Sequence, residues 1–275
     1  MSFLRAVGGL AIPKAQEPLG RPGLLPVVYM VAVCFLVACV SRESAHMIAS
    51  NEIRKYIDHT LLKPEATPED IAQLCAEAVE YGFATVCVSP CFVQQAAQCL
   101  RGTPVHVCTV IGFPLGTTLP QVKAYETECA IEAGATEVDM VINLGALKAG
   151  NHELVQRDIE GVVRAAHAHD ALVKVIIEAA ALADDEKVTA CSLAQAADAD
   201  FVKTSTGYGP GGASLHDVAL MRRTVGASMG VKASTGVRDY ETANAMIEAG
   251  ANRLGVSRGI KIVRQATEAQ AREGA

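Results

Sequence analysis

Asp200-Phe201-Val202-Lys203-Thr204-Ser205-Thr206-Gly207 and Gly230-Val231-Lys232-Ala233-Ser234-Thr235-Gly236-Val237-Arg238 share one arrangement: a short apolar run, a lysine at its end, and a turn rich in hydroxyls and glycine. Each reads as a strand emptying into a loop. Lysine is among the residues least often buried, because its ammonium loses hydration unless it is paired or gives up its proton. Two strand-end lysines in matching contexts point to amines put to chemical use, against the plain alternative of side chains snorkelling to solvent.

Outward from this pair the pattern repeats. Apolar runs centre on Ile57, Thr85 to Val88, Val107 to Ile111, Val138 to Ile142, Val173 to Ile177, Phe201 to Lys203, Gly230 to Lys232 and Arg253 to Val256, with amphipathic segments between them. The segment Pro68 to Tyr81 carries helix-start signals: Thr67 as N-cap, Pro68 at the first position and Asp70 in the first turn. Ser214 and Asp217 open another helix with capping-box spacing. Tyr81-Gly82, Ala133-Gly134 and Ala249-Gly250 close helices before the next run. Eight strand–helix units predict an α/β fold, a (β/α)8 TIM barrel over residues 47–275. An open doubly wound sheet has the same local pattern, but no GxGxxG follows the first strand.

Period-two alternation then sorts the faces. If Lys203 points into the barrel, Phe201 joins it and Val202 faces the helices; likewise Asp139 shares a face with Val141, and Lys174 with Ile176 and Glu178. Asp139 and Lys174 lie on neighbouring runs. A buried carboxylate and ammonium there have to pair.

Half of the 275 residues are hydrophobic, only 4% are aromatic and none is tryptophan, which fits a Val, Ile, Leu and Ala core between a parallel sheet and its helices. The net charge of −6 argues against a nucleic-acid partner. An anionic small substrate needs local positive charge or backbone N–H groups, since the bulk field does not attract it. Nine scattered cysteines read as reduced intracellular thiols, and Cys87 and Cys91 lack the companion ligands of a zinc site. No metal site is expected.

Residues 1–46 are an N-terminal extension with three readings. Leu24 to Val40 is an uncharged run of 17 residues, about 25 Å as a helix against a hydrocarbon core of about 30 Å, preceded by Arg5, Lys14 and Arg21. It is anchor-like, or signal-like, with Leu36-Val37-Ala38-Cys39 similar to a lipoprotein cleavage box. The preferred reading takes Met47 as the start of translation, and with it a cytoplasmic location.

An unprotonated lysine attacks a carbonyl to form a Schiff base, and a second cation in a poorly solvated pocket favours that unprotonated form. Lys203 is the candidate nucleophile and Lys232 its neighbour. The residues also carry a resemblance. Asp58-His59-Thr60-Leu61-Leu62-Lys63-Pro64, Cys87-Val88-Ser89-Pro90, Gly112-Phe113-Pro114-Leu115-Gly116, Glu137-Val138-Asp139-Met140-Val141-Ile142-Asn143, Lys174-Val175-Ile176-Ile177-Glu178 and the two lysine segments occur in order. From Ile53 to Val263 the chain resembles the 2-deoxyribose-5-phosphate aldolase family, class I aldolases of the barrel fold.

The resemblance implies reversible cleavage of 2-deoxy-D-ribose 5-phosphate to D-glyceraldehyde 3-phosphate and acetaldehyde, in deoxyribonucleotide catabolism and without metal or organic cofactor. It implies that Lys203 forms the imine, Lys232 perturbs it, Asp139 relays protons through a water, Lys174 holds Asp139 ionised, and Asp58 lines the pocket. A phosphorylated sugar is the expected partner, and a homodimer the expected assembly. The phosphate belongs on the loops after strands seven and eight, at Gly236, Val237, Gly255, Ser257 and Arg258, with Thr206 and Gly207 after strand six.

Three departures bear on affinity and substrate range. Thr235 stands where the family usually has glycine, which crowds the phosphate or forces an unusual backbone angle. Ala179 replaces a threonine, removing a hydroxyl from the pocket rim. Arg258 replaces a small residue and binds phosphate or projects to solvent. They keep open a Schiff-base aldolase for a related sugar phosphate, beside a membrane-tethered, non-catalytic phosphosugar binder. His59, His167, His169 and the Asp184 to Lys187 cluster read as structural or solvated.

Overall fold

Thr67, Pro68 and Asp70 start a helix as their chemistry dictates. In the computed structural model, which describes residues 48–273, the Thr67 hydroxyl accepts from the Asp70 N–H at 3.3 Å and the Asp70 carboxylate accepts from the Thr67 N–H at 2.9 Å. The helix (α1, Pro68–Tyr81) ends at Gly82, whose left-handed backbone suits a residue without Cβ. Ile71, Leu74, Cys75 and Ala78 form its buried stripe at helical spacing. The expectations for residues 1–46, the apolar segment Leu24 to Val40 included, lie outside the described residues.

Eight parallel strands close in chain order: β1 Ile57–Leu61, β2 Thr85–Val88, β3 His106–Ile111, β4 Glu137–Val141, β5 Leu172–Ile176, β6 Phe201–Lys203, β7 Gly230–Ser234 and β8 Arg253–Val256. Every predicted run is a strand. Asp58 pairs with Gly255 across β1 and β8, and this closure separates the barrel from an open doubly wound sheet. Around it stand α1, α2 (Val93–Cys99), α3 (Pro120–Glu132), α4 (His152–His167), α5 (Asp184–Ala196), α6 (Leu215–Val225), α7 (Tyr240–Glu248) and α8 (Gly259–Glu273).

At α6 the expected capping box is half made. The Ser214 hydroxyl accepts from the Asp217 N–H at 3.1 Å, but Asp217 spends its oxygens on the Ser214 hydroxyl and on Lys187.

The apolar core lies between sheet and helices. Val138 and Met140 of β4, Val173 and Val175 of β5, Val202 of β6 and Val231 of β7 all belong to it. Their alternating neighbours Glu137, Asp139, Lys174, Lys203 and Lys232 turn inward and are almost fully buried. The barrel interior is therefore filled with charge where a wholly apolar barrel would stack branched side chains.

Candidate active site

Register sets the geometry. Asp139 lies opposite Lys174 across β4 and β5, and Lys203 opposite Lys232 across β6 and β7. Inside the barrel these four converge on one carboxylate. Asp139 Oδ2 accepts from Lys203 Nζ and Lys232 Nζ, both at 2.8 Å, while Oδ1 accepts from Lys174 Nζ at 2.8 Å and from the Cys108 thiol at 3.1 Å.

A second tier lies beneath. Lys232 also donates to Asp58, and Lys174 pairs with Glu137 at 2.6 Å. Arg253 of β8 donates to Asp58 at 2.7 Å and to Glu137 at 3.2 Å. Four cationic side chains thus meet three carboxylates.

Burial alone raises a carboxyl pKa, but around Asp139 it is outweighed by Lys174, Lys203 and Lys232, and the pKa falls well below the ordinary carboxylate value. Asp58 is held low in the same way, burial being outweighed by Lys232, Lys174 and Arg253. Burial works against the Lys232 ammonium, yet Asp139 and Asp58 hold its pKa above the ordinary value; Lys174 is raised likewise, first by Asp139. Cys87, Cys108 and Asp139 bring candidate ligand atoms within 4.8 Å, but the ammonium groups on Asp139 oppose a cation there.

Above the charges, a pocket of about 480 Å³ is lined by Gly207, Gly236, Val237, Gly255, Ser257 and Arg258, all anticipated, and by Thr60, Thr235, Val256 and Arg238. Arg238 and Arg258 are exposed at its rim and supply local positive charge to an acidic chain. The loop Ser257-Arg258 leads directly into α8, so the backbone N–H groups of that helix start face the pocket end of the barrel. Thr235 does adopt the unusual backbone angle, with φ of 67°.

Three placements differ from the reading of the sequence. Thr206 is not among the residues lining this pocket: its hydroxyl donates to Glu178 at 2.5 Å and accepts from the Tyr208 N–H at 3.0 Å. Asp58 lies beneath the lysines, its oxygens taken by Lys232 and Arg253, and lines no open surface. Ala179 is fully buried in the apolar core, because the left-handed turn at Glu178 swings it away from the rim. His59 faces outward to Glu77 at 2.7 Å, and His167 bonds Asp200 at 3.0 Å.

Glu137, Arg253 and Glu178 were missed as parts of the site. Glu137 stands two residues before Asp139, and that spacing alone places both carboxylates on one face. Tyr208, from the loop after β6, reaches across the mouth: its hydroxyl donates to the Leu62 carbonyl at 2.7 Å, and its ring meets Phe113 edge-on at 5.5 Å.

Comparison with known proteins gives a consistent picture. Residues 53–265 match the description of DeoC/LacD family aldolases. A deoxyribose-phosphate aldolase of Geobacillus sp. (strain WCH70) is 62% identical over 213 residues, covering 78% of this chain and 95% of that protein. One from Streptococcus gordonii is 60% identical over 216 residues, covering 78% and 97%. Among solved structures, the deoxyribose phosphate aldolase from Aeropyrum pernix, described as a unique tetramer, superposes with a TM-score of 0.76 at 35% identity, covering 80% of this chain and 93% of that one.

Proposed function

The chain belongs to the DeoC/LacD family of aldolases, and from that premise we propose that Lys203 is the imine-forming residue of its reaction. That reaction is the reversible cleavage of 2-deoxy-D-ribose 5-phosphate to D-glyceraldehyde 3-phosphate and acetaldehyde. The observation that carries the assignment is the shared carboxylate oxygen: Lys203 and Lys232 both donate to Asp139 Oδ2 at 2.8 Å. Lys174 and Lys232 each hold a further carboxylate, Glu137 and Asp58, whereas among the described residues Lys203 has Asp139 alone. With four cations facing three carboxylates, one unprotonated amine balances the cluster, and Lys203 is the amine that gives up no carboxylate other than Asp139, which Lys174 and Lys232 still pair.

The neutral amine adds to C1 of the open-chain sugar, one proton is taken up from solvent and water leaves, giving a protonated imine. A base takes the C3 hydroxyl proton; the C2–C3 bond breaks, its electron pair flows into the imine, and C3 departs as the aldehyde of glyceraldehyde 3-phosphate. The enamine left on Lys203 takes a proton at C2, and water releases acetaldehyde. Asp139 is a weak base while the Lys174 and Lys232 ammonium groups hold it. It therefore serves as a relay through a water, with Lys174 fixing one oxygen and Lys232 keeping the other beside the reacting nitrogen. The phosphate takes the pocket between Gly207, Gly236 and Ser257, with Arg238 and Arg258 at its edge.

Seven free cysteines among the described residues support a cytoplasmic location as part of the proposal. Among those residues no helix is long and apolar enough to cross a membrane. Exposed Leu115, Leu119, Val122 and Tyr125, together on the β3–α3 connection and the start of α3, support a homodimer, which light scattering on the eluting protein would detect.

The decisive experiment is borohydride reduction in the presence of acetaldehyde, followed by peptide mass spectrometry. An adduct on Lys203, absent from Lys203→Ala, is the expected result. No adduct on any lysine of the folded protein overturns the assignment.

A further inference from the structure

Ser234, two residues beyond Lys232 on β7, is 5% exposed, and its hydroxyl has no hydrogen-bond partner among the described residues. Its backbone is fixed on both sides: the Ser234 N–H donates to Thr204 Oγ1 at 3.1 Å, and the Thr204 hydroxyl donates to the Ser234 carbonyl at 3.2 Å. The side chain shares the inward face of Lys232. A Cβ on its register partner Gly255 would come within 2.3 Å of Ser234 Oγ and 3.0 Å of Lys232 Cε. The hydroxyl therefore lies between the amines and the pocket that Gly255 lines.

A buried hydroxyl with no partner loses its bonds to water and gains nothing in exchange. Such a group is retained most simply when a bound molecule completes it. We propose that Ser234 Oγ hydrogen-bonds the C4 hydroxyl of the sugar phosphate, which becomes the C2 hydroxyl of the glyceraldehyde 3-phosphate product, and that Ser234 is a specificity-determining residue for that hydroxyl.

This inference rests on the reading that C1 is held on Lys203 and the phosphate in the pocket beyond. A substrate stretched between those points carries two hydroxyls. The one on C3 gives up its proton and must stay within reach of the Asp139 relay. The one on C4 lies one carbon nearer the phosphate, on the level of Ser234, which stands roughly 6–7 Å along the strand from Lys232. Serine can donate to or accept from it. A site built to bond a hydroxyl rejects an analogue lacking it, because the site's own polar group is then left unpaired.

The test uses the synthetic direction, with acetaldehyde as donor and two acceptors: D-glyceraldehyde 3-phosphate, and 3-hydroxypropanal phosphate, which lacks the hydroxyl in question. Ser234→Ala should lower kcat/KM for the first by about tenfold and for the second by less than about twofold. Its borohydride adduct on Lys203 should form as in the parent protein, and its melting temperature should not fall, since the lost hydroxyl bonds nothing among the described residues. Equal losses with both acceptors, or no loss with either, overturn the inference while leaving the imine assignment standing. Failure to trap Lys203 in the parent protein strikes the imine reading itself, and the inference falls with it.

Discussion

Lys203 and Lys232 are register partners on β6 and β7, and their Nζ atoms each lie 2.8 Å from the same oxygen of Asp139. Both amines donate to that one oxygen, so each limits the other's claim to it. Lys232→Met removes one claimant and one like charge. Asp139 Oδ2 is then left to Lys203 alone, and kcat/KM should fall by about tenfold or more. The borohydride adduct on Lys203 should still form, but more slowly than in the parent protein. An unchanged rate of adduct formation contradicts this role.

Thr235 holds φ of 67° at the lip of the pocket, where its Oγ1 lies 3.0 Å from the place a Cβ on Gly207 would occupy. A β-branched residue in this region costs about 1–3 kcal/mol. Thr235→Gly removes that strain and gives back part of the gain, roughly 0.5–1 kcal/mol, through the freer unfolded chain. The variant should melt higher by roughly 2–4 °C, for a net gain of about 1 kcal/mol. Calorimetry decides it, and a lower melting temperature would mean that Thr235 makes compensating contacts.

Glu178, itself left-handed with φ of 51°, pins the loop after β6 through the Thr206 hydroxyl at 2.5 Å. Gly209 is so close that a Cβ there would come within 2.6 Å of the Glu178 carboxyl carbon. Glu178→Ala frees the segment that carries Gly207 into the phosphate pocket. KM for the sugar phosphate should rise about tenfold with kcat changed by less than about threefold, the signature of lost binding with intact chemistry. Borohydride trapping with acetaldehyde, which carries no phosphate, should be unchanged.

What was legible in the sequence follows from interaction range. The strands could be read because each is a short apolar run between local signals, as with Thr67 and Gly82 around α1. The pairing of Asp139 with Lys174 was readable because β4 and β5 are consecutive and both charges fall on the inward phase. Arg253 escaped because its partners Asp58 and Glu137 lie 195 and 116 residues away and meet it only when β8 closes on β1. A charge at the start of a strand otherwise reads as solvated. The bond from Thr206 to Glu178 was not legible, because sequence places a hydroxyl near a pocket without showing which neighbour it meets.

Lys123 of α3 and Asp158 of α4 form a second buried ion pair, away from the reacting amines, and the Lys123 ammonium also donates to the Val141 carbonyl at 2.7 Å. Burial is the leading effect on both: it lowers the lysine pKa and raises that of the carboxyl. One Asp158 oxygen has no hydrogen-bond partner among the described residues. Lys123→Met should cost about 3–5 kcal/mol, because it strands a buried carboxylate. Adding Asp158→Leu should recover most of that loss, as measured by urea unfolding. If the double variant is no more stable than the single one, the pair does more than neutralise itself.

Asp58 links the interior charges to the pH dependence of stability. Its folded-state pKa lies below the unfolded value, so its contribution is complete above about pH 4 and is lost as pH falls through the folded value. Lys232 and Lys174 are shifted upward, so theirs is complete below about pH 10 and is lost as pH rises beyond that. Between those limits these three groups add no slope. The stability difference between the parent protein and Asp58→Asn should therefore be constant from pH 5 to about 9 and shrink below about pH 4. Urea midpoints for both proteins along that series test it directly. A difference that shrinks already between pH 7 and 5 would mean that Asp58 takes up its proton at an ordinary or raised pKa, and that Lys232 and Arg253 do not hold it as their geometry implies.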